Sequence, residues 1–443
     1  MKYCTESDVF KWRLVNRQWN FACSAWLRSV KISKVFIMGN EQVESFLRTI
    51  PFPNITLFNS FALEELTVCT EDGSSVAYKF LSRFGSHMES LELHHVIFPD
   101  VETLLRVLGR LTYLKSLALD VSSFKSARLE GLPGLGTAAA LEKLEVLNLY
   151  FTGSTAGLFE NFVADFVAYI APNIKVLKME PPDCYTKISA ETYETFVRCA
   201  LGCRRLQKFG FQLCLSEKLM KSVTSARLPL TDVDLVVKED LVRSSVLFNM
   251  LKALAGTLKC LKLTFRLNSM KLRNASFELP PFTALEELTL KNFYGGAEAL
   301  SFLQKCQTLK FLDLLGVPHY EHMLPQRMKA LERAQRLRIV PCTYPSSIAF
   351  QRIMALFPNL NSLYIEDVQD YALRGIFMEL PKLEVLTLKG HFTDEGIAGI
   401  PAEKCTEISN FELIEEIDPE YLRVSPFIGD LKSEYSASAL ALS

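Results

Sequence analysis

Histidines that lie close together in the sequence are candidates for metal binding or acid–base catalysis. The chain contains six histidines, and two pairs are close in sequence. His94 and His95 are adjacent, so on a strand they would face opposite sides and cannot bind one ion together. His319 and His322 are three residues apart, but no further ligand is evident near them. We therefore interpret the histidines as structural or surface residues.

Asp232 and Asp234 form the most suggestive carboxylate pair, because residues two apart share one face of a strand. Paired carboxylates support catalysis when a pocket positions them, and no such pocket is evident from the sequence. We interpret the pair as a solvated acidic patch, and we predict no catalytic residue. A metal or cofactor pocket near this pair is the observation that would favour an enzyme instead.

The eleven cysteines do not form a recognisable ligand set. Cys184, Cys199 and Cys203 lie near one another in the sequence, but no second pair with ligand spacing follows, so no metal or other cofactor is predicted. The odd count and the irregular spacing in a long chain favour reduced thiols in a cytoplasmic or nuclear protein. Phosphate-binding glycine loops, H-E-x-x-H and G-x-S-x-G are absent as well.

A leucine phrase organises most of the chain. Leu285, Leu288 and Leu290 follow the pattern L-x-x-L-x-L, and related phrases recur about every 23 to 32 residues. This period and phrase are typical of leucine-rich repeats. The fourteen copies end their apolar pattern at residues 68, 93, 119, 149, 179, 211, 235, 263, 290, 314, 339, 365, 388 and 413.

Alternation explains the phrase, because successive side chains of a strand face opposite sides. Leu288 and Leu290 are expected to point inward, and Glu287, Thr289 and Lys291 outward. Apolar rows at helical spacing, such as Leu247, Leu251 and Leu254, predict helices between the strands. One repeat cannot bury its leucines alone, whereas stacked repeats can. The sequence therefore predicts an α/β leucine-rich-repeat solenoid, a curved horseshoe with parallel strands on the concave face and helices outside.

Composition and charge limit the classes of function. The chain has 443 residues, of which 49% are apolar and 22% charged, as expected for a folded protein. Its net charge of −1 argues against a general nucleic-acid or membrane binder. No run of 18 uncharged apolar residues occurs, and the N-terminus has acidic residues where a signal peptide needs an apolar core. We expect a cytoplasmic or nuclear protein.

The outward strand positions form the predicted binding surface for a protein substrate. Tyrosine and arginine are the most frequent energetic anchors of protein interfaces, so Tyr150, Tyr364 and Arg338 are the first candidates. The predicted substrate-binding residues on the concave face are His94, Asp120, Tyr150, Glu180, Lys291, Arg338, Tyr364 and Lys389.

The N-terminal segment does not follow the repeat and resembles the second half of an F-box. Residues 14–19, L-V-N-R-Q-W, match the family's L-V-C-x-x-W phrase with asparagine replacing the usual cysteine, and residues 26–29, W-L-R-S, resemble its exit. The resemblance implies that Leu14, Val15 and Trp19 hold the helices that bind a Skp-type adaptor. The family's opening L-P-x-E helix is absent, which predicts an incomplete gene model or a degenerated module. Trp12, Trp19 and Trp26 can alternatively form a helical cap on the first repeat.

The resemblance to F-box/leucine-rich-repeat proteins implies a non-catalytic substrate receptor of a cullin–RING ubiquitin ligase. In that family the F-box binds the adaptor and the repeats bind the substrate. The alternative is a ligase-independent scaffold or inhibitor that uses the same face. The expected organisation is a partial F-box-like segment at 1–34, a transitional capping segment at 35–62, about fourteen repeats at 63–414, and a C-terminal cap and tail at 415–443.

Overall fold

The structure is a computed structural model, and the chain divides into two compact units, Met1–Leu261 and Lys262–Ser443. It describes residues 34–49, 58–68, 75–120, 141–150, 173–180, 200–214, 216–238, 241, 245–266, 279–296, 298–317, 320–325, 327–340, 347–393, 395–396, 408 and 410–415.

Parallel strands pair in sequence order in the first unit, from β1 to β8. The strands are β1 Val35–Met38, β2 Ser60–Glu64, β3 Ser90–His94, β4 Ser116–Asp120, β5 Val146–Tyr150, β6 Val176–Glu180, β7 Lys208–Cys214 and β8 Asp232–Lys238, and β9, Cys260–Arg266, spans the unit boundary. The described helices are α1 Gly39–Thr49, α2 Val76–Phe84, the short 3-10 helix Gly85–His87, α3 Val101–Leu108, α4 Glu217–Ala226 and α5 Ser245–Leu254.

The second unit repeats this arrangement, with β10 to β15 again paired in parallel and in sequence order. Its strands are β10 Glu287–Lys291, β11 Phe311–Leu315, β12 Arg336–Val340, β13 Ser362–Gln369, β14 Val385–His391 and β15 Asn410–Glu415. Its described helices are the 3-10 helix Ser301–Lys305, α6 Tyr320–Met323, α7 Ser347–Ala355 and α8 Asp370–Glu379.

Burial along β10 follows the alternation predicted from the leucine phrase. Leu288 and Leu290 are 1% and 0% exposed, whereas Lys291 is exposed. The two leucines pair in register with Leu312 and Leu314 of β11, so equivalent positions of neighbouring repeats form continuous buried rows. Stacking is what buries these side chains, since one repeat has no second layer of its own.

Helices complete the core from the leucine side of the sheet. Leu247, Leu251 and Leu254 of α5 are all buried, as their helical spacing predicts. A small apolar cavity is lined by residues of β7, α4, β8 and α5, including Phe209, Leu219, Val233 and Met250. Strand leucines and helix residues therefore share one core, and the prediction of an α/β leucine-rich-repeat solenoid is confirmed.

Main-chain hydrogen bonds link successive repeats just before strands β3 to β9 and β11 to β14. The amides of Lys115 and Ser116 both donate to the carbonyl oxygen of Glu89, at 2.7 and 3.0 Å. The amides of Gln335 and Arg336 donate in the same way to Lys310, at 2.8 and 3.0 Å. We call each such carbonyl a double acceptor. Because only backbone atoms are involved, many side chains are compatible with this position.

The first repeats differ from the prediction in their register. The phrase starting at Leu63 was expected to place its strand near residue 68, but β2 ends at Glu64 and pairs Leu63 with Leu93 of β3. Residues 66–68 instead continue the pairing briefly after the strand, through a bridge between Thr67 and Ile97. The first described strand of the parallel sheet, β1, lies within the segment predicted to be transitional.

Thr393 connects the turn after β14 to α8 through hydrogen bonds. The Thr393 hydroxyl accepts from the amide of Gly396 at 3.1 Å, which caps that turn. The same hydroxyl donates to Asp370 in α8, at 2.6 Å, and the Thr393 amide donates to the other carboxylate oxygen at 2.9 Å. One carboxylate thus connects the first residue of α8 to the following repeat.

Candidate protein-binding face

Side chains that alternate with the buried leucines point away from the core, and we call the surface they form the open face. The eight predicted substrate-binding residues all lie on described strands at such positions. Five are grouped into two clusters, one in each unit. Glu180 acts on the first of these through its charge, and Asp120 contacts His95 instead. Lys291 stands apart from these contacts: it is exposed at the end of β10, in register with Leu315 of β11.

The cluster in the second unit joins three predicted residues, and we call it the Arg338 cluster. The guanidinium of Arg338 lies 4.7 Å from the centre of the Tyr364 ring. The Tyr364 hydroxyl donates a 2.5 Å hydrogen bond to Oε1 of Glu366, and Nζ of Lys389 lies 3.8 Å from Oε2 of the same carboxylate. The chain of contacts therefore runs Arg338–Tyr364–Glu366–Lys389 across β12, β13 and β14.

The hydrogen bond to Glu366 is the main reason that the pKa of Tyr364 is raised, followed by partial burial. Donation to a carboxylate stabilises the neutral phenol, since the phenolate has no proton to give. Arg338 and Lys389 act in the opposite direction. Tyr364 therefore stays a hydrogen-bond donor to Glu366, and its ring stays fixed beneath Arg338.

Asp313 and Arg336 border the Arg338 cluster on β11 and β12. Nη2 of Arg336 lies 3.7 Å from Oδ2 of Asp313, and its guanidinium lies 4.7 Å from the centre of the Phe311 ring. Oδ1 of Asp313 is buried without a hydrogen-bond partner. Asp313 is the register neighbour of Arg338. Arg336 was not among the predicted residues, although its outward position in the phrase was a signal that it belongs to this surface.

The first-unit cluster is built around a ring contact between His94 of β3 and Tyr150 of β5. The ring centres lie 5.3 Å apart. These side chains meet across the intervening strand β4, where Asp120 is the register neighbour of Tyr150. Burial, followed by the charges of Glu180 and Glu92, raises the pKa of the Tyr150 hydroxyl. Tyr150 is therefore a neutral aromatic in acidic surroundings.

Glu92, also absent from the prediction, connects this cluster to Lys34. Its carboxylate lies 2.5 Å from Nζ of Lys34 and 3.4 Å from Nε2 of His94. These contacts require residues from three places in the sequence, so only the strand register reveals them.

Asp120 does not occupy the exposed position expected from the sequence. Its side chain is 2% exposed, and Oδ2 accepts from the backbone amide of His95 at 3.3 Å and lies 3.2 Å from Nδ1 of that residue. His95 follows β3 with a φ of 51°, in the left-handed region that non-glycine residues rarely adopt. Asp120 thus stabilises a turn, and it is not available to contact a partner.

Asp232, one of the two carboxylates considered for catalysis, has an ion-pair partner, and the two thiols described next are buried. Nζ of Lys208 lies 2.8 Å from Oδ1 of Asp232. Burial raises the pKa of the Cys203 thiol to about 12 and that of Cys306 to about 11. Within the described part of the chain, no three histidine, cysteine or carboxylate residues are grouped as metal ligands.

Two further findings concern the described helices and the predicted residues that lie outside the described part of the chain. None of the described helices is long and apolar enough to cross a membrane. The predicted adaptor-binding residues, Leu14, Val15 and Trp19, lie outside the described residues, as do His319, Cys184 and Cys199.

Comparison with known proteins shows similarity of fold. No protein-family model matches the chain, and no curated protein matches it. Similar solved structures include TLR13 in complex with ssRNA13, with 14% identity over 83% of this chain and a TM-score of 0.38. This chain spans 58% of the length of that TLR13 chain.

Two other solved structures also match this chain. The structure of the yeast Rad7 and Elc1 complex matches with 14% identity over 86% of this chain and 92% of the other, and a TM-score of 0.45. The plant peptide hormone receptor RGFR1 in complex with RGF2 matches with 12% identity over 82% of this chain and 73% of the other, and a TM-score of 0.25. What these proteins bind is a property of those proteins.

Proposed function

We propose that this protein is a non-catalytic substrate receptor of a cullin–RING ubiquitin ligase. Its open face binds a protein substrate, and its N-terminal F-box-like segment binds a Skp-type adaptor. Holding both partners raises the effective concentration of the substrate near the ubiquitin-loaded enzyme without bond chemistry in this chain.

The observation that carries the protein-binding part of this proposal is the Arg338 cluster. A guanidinium, a phenol ring and an ammonium group lie side by side at positions that the core does not require. Arginine and tyrosine are enriched among the residues that contribute most to protein–protein binding. The parallel strands hold these side chains in fixed relative positions, which lowers the entropic cost of binding a partner.

The adaptor part rests on the sequence resemblance of residues 14–29 to an F-box. The experiment is a pull-down of purified Skp-type adaptor by the full chain, compared with the double variant L14D/W19A. A deletion of residues 1–33 is the second variant, because it leaves β1 and Lys34 in place. Tyr364→Ala serves as the control, since it alters only the open face.

We expect the full chain and Tyr364→Ala to retain the adaptor, and the two N-terminal variants to lose it. Failure of the full chain to retain the adaptor would contradict the ligase part of the proposal. The protein would then be a ligase-independent scaffold or inhibitor, which requires the same open face but no F-box.

A further inference from the structure

We propose that the Arg338 cluster recognises a carboxylate in an acidic segment of the bound protein. This inference rests on the protein-binding part of the proposed function and adds the chemical class of the segment. It is independent of whether an adaptor binds the N-terminus.

Charge compensation within the cluster leaves Arg338 as the cation best placed to bind a partner. Two carboxylates lie in or beside the cluster. Oδ2 of Asp313 lies 3.7 Å from Nη2 of Arg336. Glu366 accepts from Tyr364 and lies near Lys389. Arg338 is exposed on β12, and no ion pair with a carboxylate is found for it among the described residues. Its N–H groups therefore remain available to acceptors outside the chain.

Tyr364 prepares Arg338 for this role. Contact with the ring restricts the guanidinium, while Arg338 stays exposed on the open face. A planar guanidinium binds a carboxylate through two parallel hydrogen bonds. Because the hydroxyl of Tyr364 is already held by Glu366, the ring is fixed before any partner arrives.

The surrounding open face favours an acidic partner over a basic one. Lys291 is exposed one strand beyond Asp313, and Arg336 is exposed two residues before Arg338. A basic segment would meet these cations together with Arg338 and Lys389, whereas an acidic segment meets them as additional attraction. Charge complementarity therefore identifies an acidic peptide segment as the occupant.

The test is selection of a displayed library of random short peptides on the full chain and on Arg338→Gln. We expect the full chain to enrich peptides rich in aspartate and glutamate, and Arg338→Gln to lose this enrichment. Arg106→Gln is the control, because it removes an exposed arginine that pairs with Glu102 on α3. It should enrich the same acidic peptides as the full chain.

Fluorescence anisotropy with one selected peptide then measures the contribution of Arg338. We expect at least tenfold weaker binding to Arg338→Gln, a smaller loss for Arg338→Lys, and weaker binding when aspartate and glutamate are replaced by their amides. Far-UV circular dichroism checks that each variant is folded.

Enrichment of basic or uncharged peptides, or the same acidic enrichment with Arg338→Gln, would overturn the inference. Binding of the peptide only when phosphoserine replaces its carboxylates would overturn it too. Loss of adaptor binding with acidic selection intact would instead remove only the ligase part of the proposed function.

Discussion

Asp120 and Arg338 occupy outward positions of equivalent repeats, yet their neighbours give them opposite roles. Asp120 is the register neighbour of Tyr150, is 2% exposed, and accepts from the backbone of His95. Arg338 rests on a ring and keeps its donors exposed. The repeat phrase fixes which side of the strand each residue occupies, whereas side chains on adjacent strands determine whether it is accessible.

Replacing Asp120 by alanine should destabilise the protein, because it leaves the amide of His95 without its acceptor in a left-handed turn. We expect a loss of about 1–3 kcal/mol in the free energy of unfolding, measured by urea titration with far-UV circular dichroism. Asp120→Asn retains an acceptor oxygen and should lose less. Glu180→Ala is the control, and an equal loss there would contradict the role assigned to Asp120.

Cys203 should make stability depend on pH under alkaline conditions. Its pKa is raised from 9.0 to about 12 by burial, so the unfolded chain releases this proton at lower pH than the folded chain. The thiol's contribution to stability is complete below pH 9 and is lost as the pH rises toward 12.

We expect this thiol to lower the free energy of unfolding by about 1 kcal/mol between pH 8 and pH 10. Cys203→Ala removes that contribution, while every other group titrates as before. The measurement is the urea midpoint of both proteins at each pH. Identical pH dependence in the two proteins would show that the thiol is not buried as described.

At the scale of elements, thirteen of the fourteen predicted strands lie where the leucine phrase placed them, from β3 to β15. The period-2 burial pattern specifies both the strand and its register, so these elements were predictable. The phrase at Leu63 failed because two overlapping apolar patterns, Phe61 with Leu63 and Leu66 with Val68, are both buried. Only pairing with β3 distinguishes the strand from the residues that follow it.

The contacts within each cluster were less predictable than the positions of the strands. The sequence identified Arg338, Tyr364 and Lys389 as outward residues, but their connection through Glu366 depends on side-chain conformation. The role of Asp120 likewise depends on a residue of another repeat, because its partner His95 follows the neighbouring strand β3.

Gly390 lies where the backbones of β13 and β14 approach each other closely. A Cβ at this position of β14 would lie 2.0 Å from the carbonyl oxygen of Val368, where β13 and β14 shift register. Backbone atoms cannot move aside as a side chain does, so Gly390→Ala should cost about 1–3 kcal/mol or more.

Gly256→Ala is the matched control for this substitution, because no atom lies within 4 Å of the Cβ it would add. Thermal unfolding monitored by circular dichroism should show a lower melting temperature for Gly390→Ala and nearly no change for Gly256→Ala. Equal effects would show that β13 and β14 are not this close.

At the scale of the whole molecule, the distribution of tryptophan makes separate unfolding events observable. All three tryptophans, Trp12, Trp19 and Trp26, precede the first described strand, whereas circular dichroism reports mainly on the repeats. The N-terminal segment does not share the repeat period, and solenoid repeats depend mainly on their nearest neighbours.

We therefore expect urea unfolding curves from tryptophan fluorescence and from far-UV circular dichroism to have different midpoints. Adaptor binding should move the fluorescence midpoint more than the circular dichroism midpoint. Coincident curves with and without adaptor would contradict an independently stable N-terminal segment.

The double acceptors have a consequence for the length of the chain. Glu286, Lys310 and Gln335 each present the same carbonyl to the amides that follow one repeat later. Excising residues 310–334 would bring the amides of Gln335 and Arg336 to the carbonyl oxygen of Glu286, which now accepts from Lys310 and Phe311. The backbone hydrogen bonds between successive repeats are thus interchangeable. A protein shortened by one repeat should therefore still fold with a continuous parallel sheet.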